Sequence, residues 1–374
     1  MAKPTVVVGM SGGVDSSVSA LLLKQQGFNV IGMFMKNWEE EDDGVCPAAL
    51  DFEDVVNVCN KIGIPYYSVN FVKEYQTQVF DHFLKECLAG NTPNPDILCN
   101  REIKFQVFLE KALELGADFL ATGHYCQNLL LNGRQCLVKG KDPQKDQTYF
   151  LHAIKEQVLD KVLFPIGHLE KAEVRRLALE AGLVTATKKD STGICFIGKR
   201  NFKEFLSKHL QYEPGNFETL DGKVIGRHSG IPYYTIGQRK GLAIGGAGDA
   251  WFVVGKDLVR NVVYVEQGAL HPALFADELI AKDLTFIGDL PRQFPFQCKT
   301  KIRYRQLDQP AVIESIENGK VHVRFLVPQR AITTGQSVVF YNDEVCLGGA
   351  VIESVGATYH ARNKQLSQEL VAVD

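Results

Sequence analysis

The feature that most constrains this chain is its first apolar strand, together with the glycine turn and helix start after it. Val6-Val7-Val8-Gly9-Met10 runs into Ser11-Gly12-Gly13 and then into Val14-Asp15-Ser16-Ser17. A buried strand that ends in a glycine turn at a helix start is the opening unit of a parallel α/β sheet. Gly12 and Gly13 can take backbone angles closed to other residues, so successive N–H groups can converge on one anion at the positive end of the helix. Ser11, Ser16 and Ser17 add hydroxyl donors. No GxxxxGK[ST] is present, so the lysine that reaches the β- and γ-phosphates in such a loop is missing. A carboxylate beside a phosphate repels it unless a cation intervenes, and Mg²⁺ is therefore expected to bridge Asp15 and a pyrophosphate group. The plainer alternative is a capped strand-to-helix turn with Ser and Asp as ordinary first-turn residues.

The alternation continues through the first half. Residues 5–10, 30–35, 66–71 and 119–124 read as strands, and residues 15–26, 52–62, 75–88, 103–115, 172–181 and 202–210 as helices. After about residue 212 the texture becomes Gly-rich and β-branched, with turn signals at Asp221-Gly222, Gly245-Gly246 and Asn318-Gly319. Short runs at 311–316, 320–325 and 337–341 predict a small antiparallel barrel. A length of 374 residues with 45% hydrophobic composition accommodates three units. These are a parallel-sheet α/β domain at 1–205, a small mixed, β-rich central domain at 206–268 and a C-terminal antiparallel β-barrel at 269–374.

No run reaches the roughly 18–20 apolar residues of a membrane span, and the N-terminal segment enters a strand without a cleavable signal; a cytoplasmic protein is expected. Nine cysteines without a CxxC pair fit reduced thiols rather than a disulfide framework. Lys plus Arg is 41 against 44 for Asp plus Glu, so any nucleic-acid contact has to come from local patches. The acidic run at 39–43 reads as a solvated loop.

Two cysteines stand out. Asn94-Pro95-Asp96-Ile97-Leu98-Cys99-Asn100 sets a carboxylate three positions from a thiol, just before a helical stretch whose start can lower a thiol's pKa. Ser191-Thr192-Gly193-Ile194-Cys195-Phe196-Ile197-Gly198 holds a second cysteine between glycines. Singly, each reads first as a buried structural cysteine. Asp96 is a candidate acid or base, and equally a candidate helix cap.

Ser11-Gly12-Gly13-Val14-Asp15-Ser16 resembles the PP-loop of ATP pyrophosphatases (the adenine nucleotide alpha hydrolase-like fold), which cleave ATP between the α- and β-phosphates. Together with the two cysteine segments, and with Gly226-Arg227-His228 and Tyr234 to Leu242, it makes the chain resemble the tRNA-specific 2-thiouridylase family over essentially its full length. The resemblance implies thiolation of the wobble uridine of tRNA, with Cys99 and Cys195 as the catalytic pair. It implies ATP-binding positions at Gly9, Met10, Ser11, Gly12, Gly13, Val14, Asp15, Ser16, Met35 and Gly123. Asn94, Pro95 and Asp96 match the target-base segment, and His124, Lys145, Asp146, Gln147, Arg303, Tyr304 and Gln336 match tRNA-contacting positions.

The chemistry asks for these parts. A uridine C2 oxygen is a poor leaving group, so its attack on the α-phosphate of ATP, with loss of pyrophosphate, turns it into an adenylate. Sulfur carried as a persulfide on Cys195 then displaces AMP. Two orders stay open: direct attack followed by a Cys99–Cys195 disulfide, or sulfide first released by Cys99. A persulfide-carrying partner protein is implied by the resemblance alone. Lys299, Lys301, Arg303 and Arg305 alternate along an apparent strand, which predicts a cationic face for RNA phosphates opposite Tyr304. The segment 141–149 is too polar for a core strand; such a stretch is usually a solvated loop, but its place between the sheet and the second cysteine makes it a candidate RNA-facing segment, with His228, Arg239 and Lys240 as added positive charge. Two other readings stand beside this one: a different PP-loop adenylating enzyme, and an ATP-gated RNA-binding protein without sulfur transfer.

Overall fold

The structure is a computed structural model that describes residues 3–39, 47–190 and 202–366. Cys195 with its flanking glycines, and most of the acidic run at 39–43, lie outside the described residues.

The strands of the first half are β1 (Thr5–Met10), β2 (Asn29–Lys36), β3 (Tyr66–Asn70), β4 (Phe119–Ala121), β5 (Cys126–Leu131), β6 (Arg134–Lys139) and β7 (Val162–Leu163). Five of them form a parallel sheet in the order β3-β2-β1-β4-β7. Alternation explains why β1 sits at its centre. Val6, Val8 and Met10 pack on one face with Ala20, Leu23, Val55 and Val58, whereas Val7 faces the other cluster with Cys99, Ile103 and Phe108. Burial on both faces is what a central parallel strand requires. Between β1 and β4 the chain reverses its direction of travel across the sheet, and such a switch point opens a crevice at the carboxyl ends of the strands.

The helix expected over 52–62 begins earlier, at Pro47, and one-turn helices appear at Thr148–Leu151 and Glu156–Leu159; two larger differences concern helix type and start. The first is that residues 72–88 form α-helix, then a wide π-helical stretch at Gln76–Phe80, then α-helix again. The second bears on the site. The helix expected to begin near Ile103 instead begins at Pro95, runs one turn to Leu98, widens to π-helix over Cys99–Val107 and returns to α-helix over Phe108–Glu114. Cys99 is therefore not at a helix start, and its N–H bonds back to the carbonyls of Pro95 and Asp96.

The central sheet runs β10-β11-β8-β9 and joins β8 (Gly215–Glu218), β9 (Val224–His228), β10 (Trp251–Asp257) and β11 (Val262–Gln267). It is mixed, because β8 and β11 pair in parallel. Beyond it lie β12 (Phe275–Phe286), β13 (Phe296–Lys301), β14 (Gln309–Glu317), β15 (Lys320–Arg330), β16 (Ser337–Asn342) and β17 (Val345–Val355). They pair antiparallel in the order β12-β15-β14-β13-β16-β17, and β17 pairs again with β12, which closes the barrel. Closure leaves no open edge among these six. The hairpin β5–β6, turning at Asn132-Gly133 with both residues at positive φ, leaves the first unit and joins the barrel through the Val138–Val345 pair.

Several expectations on polar segments change. The strand carrying Lys299 and Lys301 ends at Lys301, and Arg303 to Arg305 lie in a bend and turn, so no four-cation face forms. Lys301 is buried beside Asp146 and Asp308, and Lys299 pairs with Asp343. The stretch 141–149 is no solvated loop either, because Asp146, Thr148 and Tyr149 are interior. His228 adds no charge: it is 2% exposed, its Nδ1 accepts from the Gly230 N–H, and burial pushes its pKa down.

Candidate active site

The phosphate loop lies at the β1/β4 switch point and is organised by its own serines. Gly12 takes φ +73°, and the Ser11 N–H donates to Ser16 Oγ at 3.2 Å. The hydroxyls of Ser16 and Ser17 both donate to the Gly13 carbonyl, at 3.2 and 2.8 Å. Val14 begins the helix Val14–Gln25, and no side chain caps it. Its first N–H groups are thus left for a ligand, which is the arrangement that binds anions. Gly123, just past β4, packs so close that a Cβ there would lie 2.8 Å from the Asp15 carbonyl carbon and the Ser16 nitrogen. Gly9 has Phe108 at 3.0 Å from the position of a Cβ, and Met35 packs partly buried against the cluster that holds Cys99.

Charges absent from the sequence reading surround this loop. Asp15 receives Lys171 Nζ at 2.7 and 2.8 Å on its two oxygens and the Tyr125 hydroxyl at 2.7 Å. Lys171 also meets Asp190 at 2.8 Å, and Asp190 takes Lys145 and Arg175 at 2.8 and 2.7 Å. Burial raises the Asp190 pKa, but Lys145 and Lys171 outweigh it and hold the carboxyl at about 2. On the other flank Lys188 Nζ donates to the Gly12 carbonyl at 2.9 Å and to Asp51 and Asp54 at 2.7 and 2.5 Å.

Asp15, the carboxylate expected to meet Mg²⁺, holds the Lys171 ammonium on both oxygens. Among the described residues no group of three or more His, Cys, Asp or Glu is placed to hold a metal ion, so Mg²⁺ at Asp15 would take its remaining ligands from nucleotide phosphates and water.

The second half of the site is the Asn94–Cys99 segment. Asn94 Oδ1 accepts the Asp96 N–H at 3.1 Å and Pro95 stands at the first helical position, so the cap is Asn94 and the Asp96 carboxylate is left for other work. Burial pushes the Asp96 pKa up, opposed by Lys104. Cys99 is 2% exposed and belongs to the same apolar cluster as Val7 of β1 and Phe108. Lys104 donates to Asn100 Oδ1 at 3.0 Å, and Asn100 donates to the Phe150 carbonyl at 3.1 Å. His124 is 8% exposed between Phe105 and Phe164, with Nδ1 at 2.7 Å from Thr122 Oγ1. Burial first and Lys104 second push its pKa well down, so it is a neutral ring. Lys104 thus acts on both Asp96 and His124, from a π-helical position five residues after Cys99.

The remaining expected positions lie at the seam between the first unit and the barrel. Asp146 accepts the N–H of Gly140 and both the N–H and the hydroxyl of Thr148, and Gln147 accepts the Tyr125 N–H at 2.9 Å. Tyr304 packs at a tilt against Phe150 with ring centroids 4.4 Å apart, Arg303 donates to the Ala331 carbonyl at 2.7 Å, and Gln336 donates to the Thr92 carbonyl at 2.5 Å.

Lys104, Tyr125, Lys171, Lys188 and Asp190 escape the sequence reading. One signal is available for Lys171: it is the first residue of the helix Lys171–Glu180, where a cation opposes the helix dipole, and that local misfit points to a distant carboxylate.

Known families agree with this architecture. Residues 4–199 match the family model described as tRNA methyl transferase HUP domain, residues 203–267 the one described as tRNA methyl transferase PRC-barrel domain, and residues 276–352 the one described as aminomethyltransferase beta-barrel domain. Over 369 residues the chain is 63% identical to the tRNA-specific 2-thiouridylase MnmA of Protochlamydia amoebophila, covering 98% of each protein. It is 59% identical to the tRNA-specific 2-thiouridylase MnmA of Halalkalibacterium halodurans over 94% of this chain and 95% of the relative. The solved U34-tRNA thiolase NcsA of Methanococcus maripaludis is similar over 55% of this chain and 64% of that one, at 22% identity and a TM-score of 0.35. The family-model descriptions name methyl and aminomethyl transfer, whereas the full-length relatives are named for thiolation. Identity of 63% over nearly the whole length decides between them. The chain belongs to the tRNA-specific 2-thiouridylase family.

Proposed function

We propose that the protein replaces the C2 oxygen of the wobble uridine of tRNA with sulfur, at the expense of ATP. The full-length identity to relatives named tRNA-specific 2-thiouridylase carries this reading. In it, the triphosphate lies on the uncapped helix start after Gly13, near the ammonium groups of Lys171 and Lys188. The uridine C2 oxygen attacks the α-phosphorus, and pyrophosphate leaves. Asp96, its carboxylate free of capping duty and raised in pKa, exchanges a proton with the base's N3 position or with the Cys99 thiol.

Sulfur arrives from a donor protein as a persulfide on Cys195. By the direct route, its terminal sulfur attacks C2 and AMP leaves; the Cys99 thiolate then attacks Sγ of Cys195. That releases 2-thiouridine and joins the two cysteines in a disulfide, which an external dithiol reduces before the next turnover. By the alternative route, Cys99 attacks first and liberates sulfide. RNA is engaged across the seam of the first unit and the barrel, where Lys145, Tyr304, Arg303 and Gln336 lie. An unpaired anticodon base is extracted from its stack at lower cost than a paired one.

The test is mass analysis of nucleosides from tRNA incubated with the protein, ATP and a persulfide donor. A gain of about 16 Da on uridine is expected, lost in Cys195→Ser while base adenylation persists. Thiolation retained in that variant, or no sulfur in the RNA with the wild-type protein, overturns the reading.

A further inference from the structure

The segment that leads into Asp96 and Cys99 is gripped from outside its own domain. The helix Asp81–Leu88 ends just before Ala89-Gly90-Asn91-Thr92, and Asn94 caps the next helix six residues after Leu88. Within this short link, Lys256 of β10 donates to the Gly90 carbonyl at 3.0 Å. From the barrel, the Thr334 carbonyl accepts the Thr92 N–H at 2.9 Å, and Gln336 donates to the Thr92 carbonyl. Two glycines permit the approach. Gly90, at φ +79°, would place a Cβ 2.9 Å from Leu258, and Gly335, at φ +84°, would place one 2.9 Å from Asn91 and 3.0 Å from the Thr92 nitrogen.

Beside the link, residues of all three units, among them Gly90, Asn91, Lys256, Thr333 and Thr334, line a cavity of about 380 Å³. The link is held beside this cavity by the hydrogen bonds from Lys256, Thr334 and Gln336 together with the close approach of Leu258 and Gly335. Lys256 is a desolvated donor: burial pushes its amine down to about 8, with Cys87 of the neighbouring helix opposing the shift. Half-buried, with its amine largely desolvated, it meets less competition from water for its one carbonyl than an exposed lysine would.

We propose that Lys256 is a positioning residue for thiolation: through Gly90, and with Thr334 and Gln336 of the barrel bonded to Thr92, it fixes the link that places Asp96 and Cys99. The proposal rests on the reading that those two residues act on the base and the sulfur. It makes the central domain a working part of the active site through a hydrogen bond to the link. Misplacement of reacting groups by about 1 Å costs on the order of a hundredfold in rate, so a short link held at three points is an effective control.

The experiment compares full-length Lys256→Met and Lys256→Arg with the wild type in tRNA thiolation and in amide hydrogen exchange. Lys256→Met is expected to lower kcat by about tenfold to a hundredfold, with KM for ATP and for tRNA within about twofold. The amides of residues 91–99 should exchange about tenfold faster, and Lys256→Arg should restore kcat to within a few-fold of wild type. If Lys256→Met does not fold, Lys256→Gln, which keeps a neutral donor, takes the same measurements with an intermediate effect expected. The proposal is overturned by a kcat within about twofold of wild type, or by a loss of kcat with wild-type exchange over 91–99. Cys99→Ser run in parallel separates the two levels: if it too keeps full thiolation, the assignment of Cys99 falls rather than the grip on the link.

Discussion

His152 shows how one buried side chain adds to the acid sensitivity of the molecule. It is 2% exposed, and among the described residues neither ring nitrogen has a hydrogen-bond partner. Gly349 of β17 packs so near that a Cβ there would lie 2.6 Å from Nδ1. Burial first, and Arg101 second, push its pKa from 6.5 to about 3. The ring is therefore neutral in the folded protein, while the unfolded chain takes up a proton below about pH 6.5. Stability is full above that value and falls as the pH drops towards 3, by about 1.4 kcal/mol per unit. His152→Leu removes the titration together with two unsatisfied nitrogens. Urea unfolding at pH 7 and at pH 4.5 should show a smaller loss for the variant than for the wild type, the buried His124 accounting for part of what is left; equal losses would assign the acid sensitivity elsewhere.

At the scale of elements, two glycines of similar φ give opposite forecasts. Gly12 at +73° would direct a Cβ onto the Asp51 backbone, 2.6 Å from its carbonyl oxygen, so Gly12→Ala has to displace the helix Pro47–Ile62 or the phosphate loop. Gly133 at +80° has nothing within 4 Å, so Gly133→Ala meets only the strain of a left-handed backbone, about 1 kcal/mol. Steady-state kinetics should show KM for ATP raised about tenfold or more in Gly12→Ala and unchanged in Gly133→Ala. Parity between the two variants would remove the phosphate loop from nucleotide binding. This contrast also marks what the sequence makes legible. The strand–glycine–helix unit can be read because its defining interactions, Ser16 and Ser17 to Gly13, are local. The grip of Lys188 on Gly12 spans 176 positions and cannot be read from spacing. The start of the Cys99 helix is readable in principle from Asn94-Pro95, a cap followed by a first-position proline. Its π-helical widening has no local signature, and so the five-residue relation of Cys99 to Lys104 emerges only from the fold.

Across the whole molecule, the binding of the barrel to the first unit rests on a buried charge cluster. Lys139 of β6 meets Asp308 at 2.6 Å and lies over the Tyr341 ring at 4.7 Å; Lys301 of β13 lies 3.6 Å from Asp146 and 3.8 Å from Asp308. Hydrogen bonds reinforce the joint: Tyr149 donates to the Ser337 carbonyl at 3.0 Å, and the Lys139 N–H to the Glu344 carbonyl at 2.9 Å. Sequence alternation alone makes Lys301 an RNA contact, because it says which residues of a strand share a face, not whether that face is covered by a hairpin some 160 residues away. Two positive and two negative charges in one interior are expensive to desolvate, and their net worth as a set is small. Removing one member is different, because it strands the others. Lys139→Met leaves Asp308 with only the longer contact to Lys301 and is expected to lower stability by about 3 kcal/mol. Lys139→Met/Asp308→Leu removes a cation and an anion together, keeps the Lys301–Asp146 pair, and should return to within about 1 kcal/mol of wild type. Calorimetry of the single variant should also split the unfolding transition, since the barrel closes on itself through β12 and β17 and can stand when its joint to the first unit fails. A single variant as stable as wild type would show that the hydrogen bonds, and not the charge cluster, hold the two together.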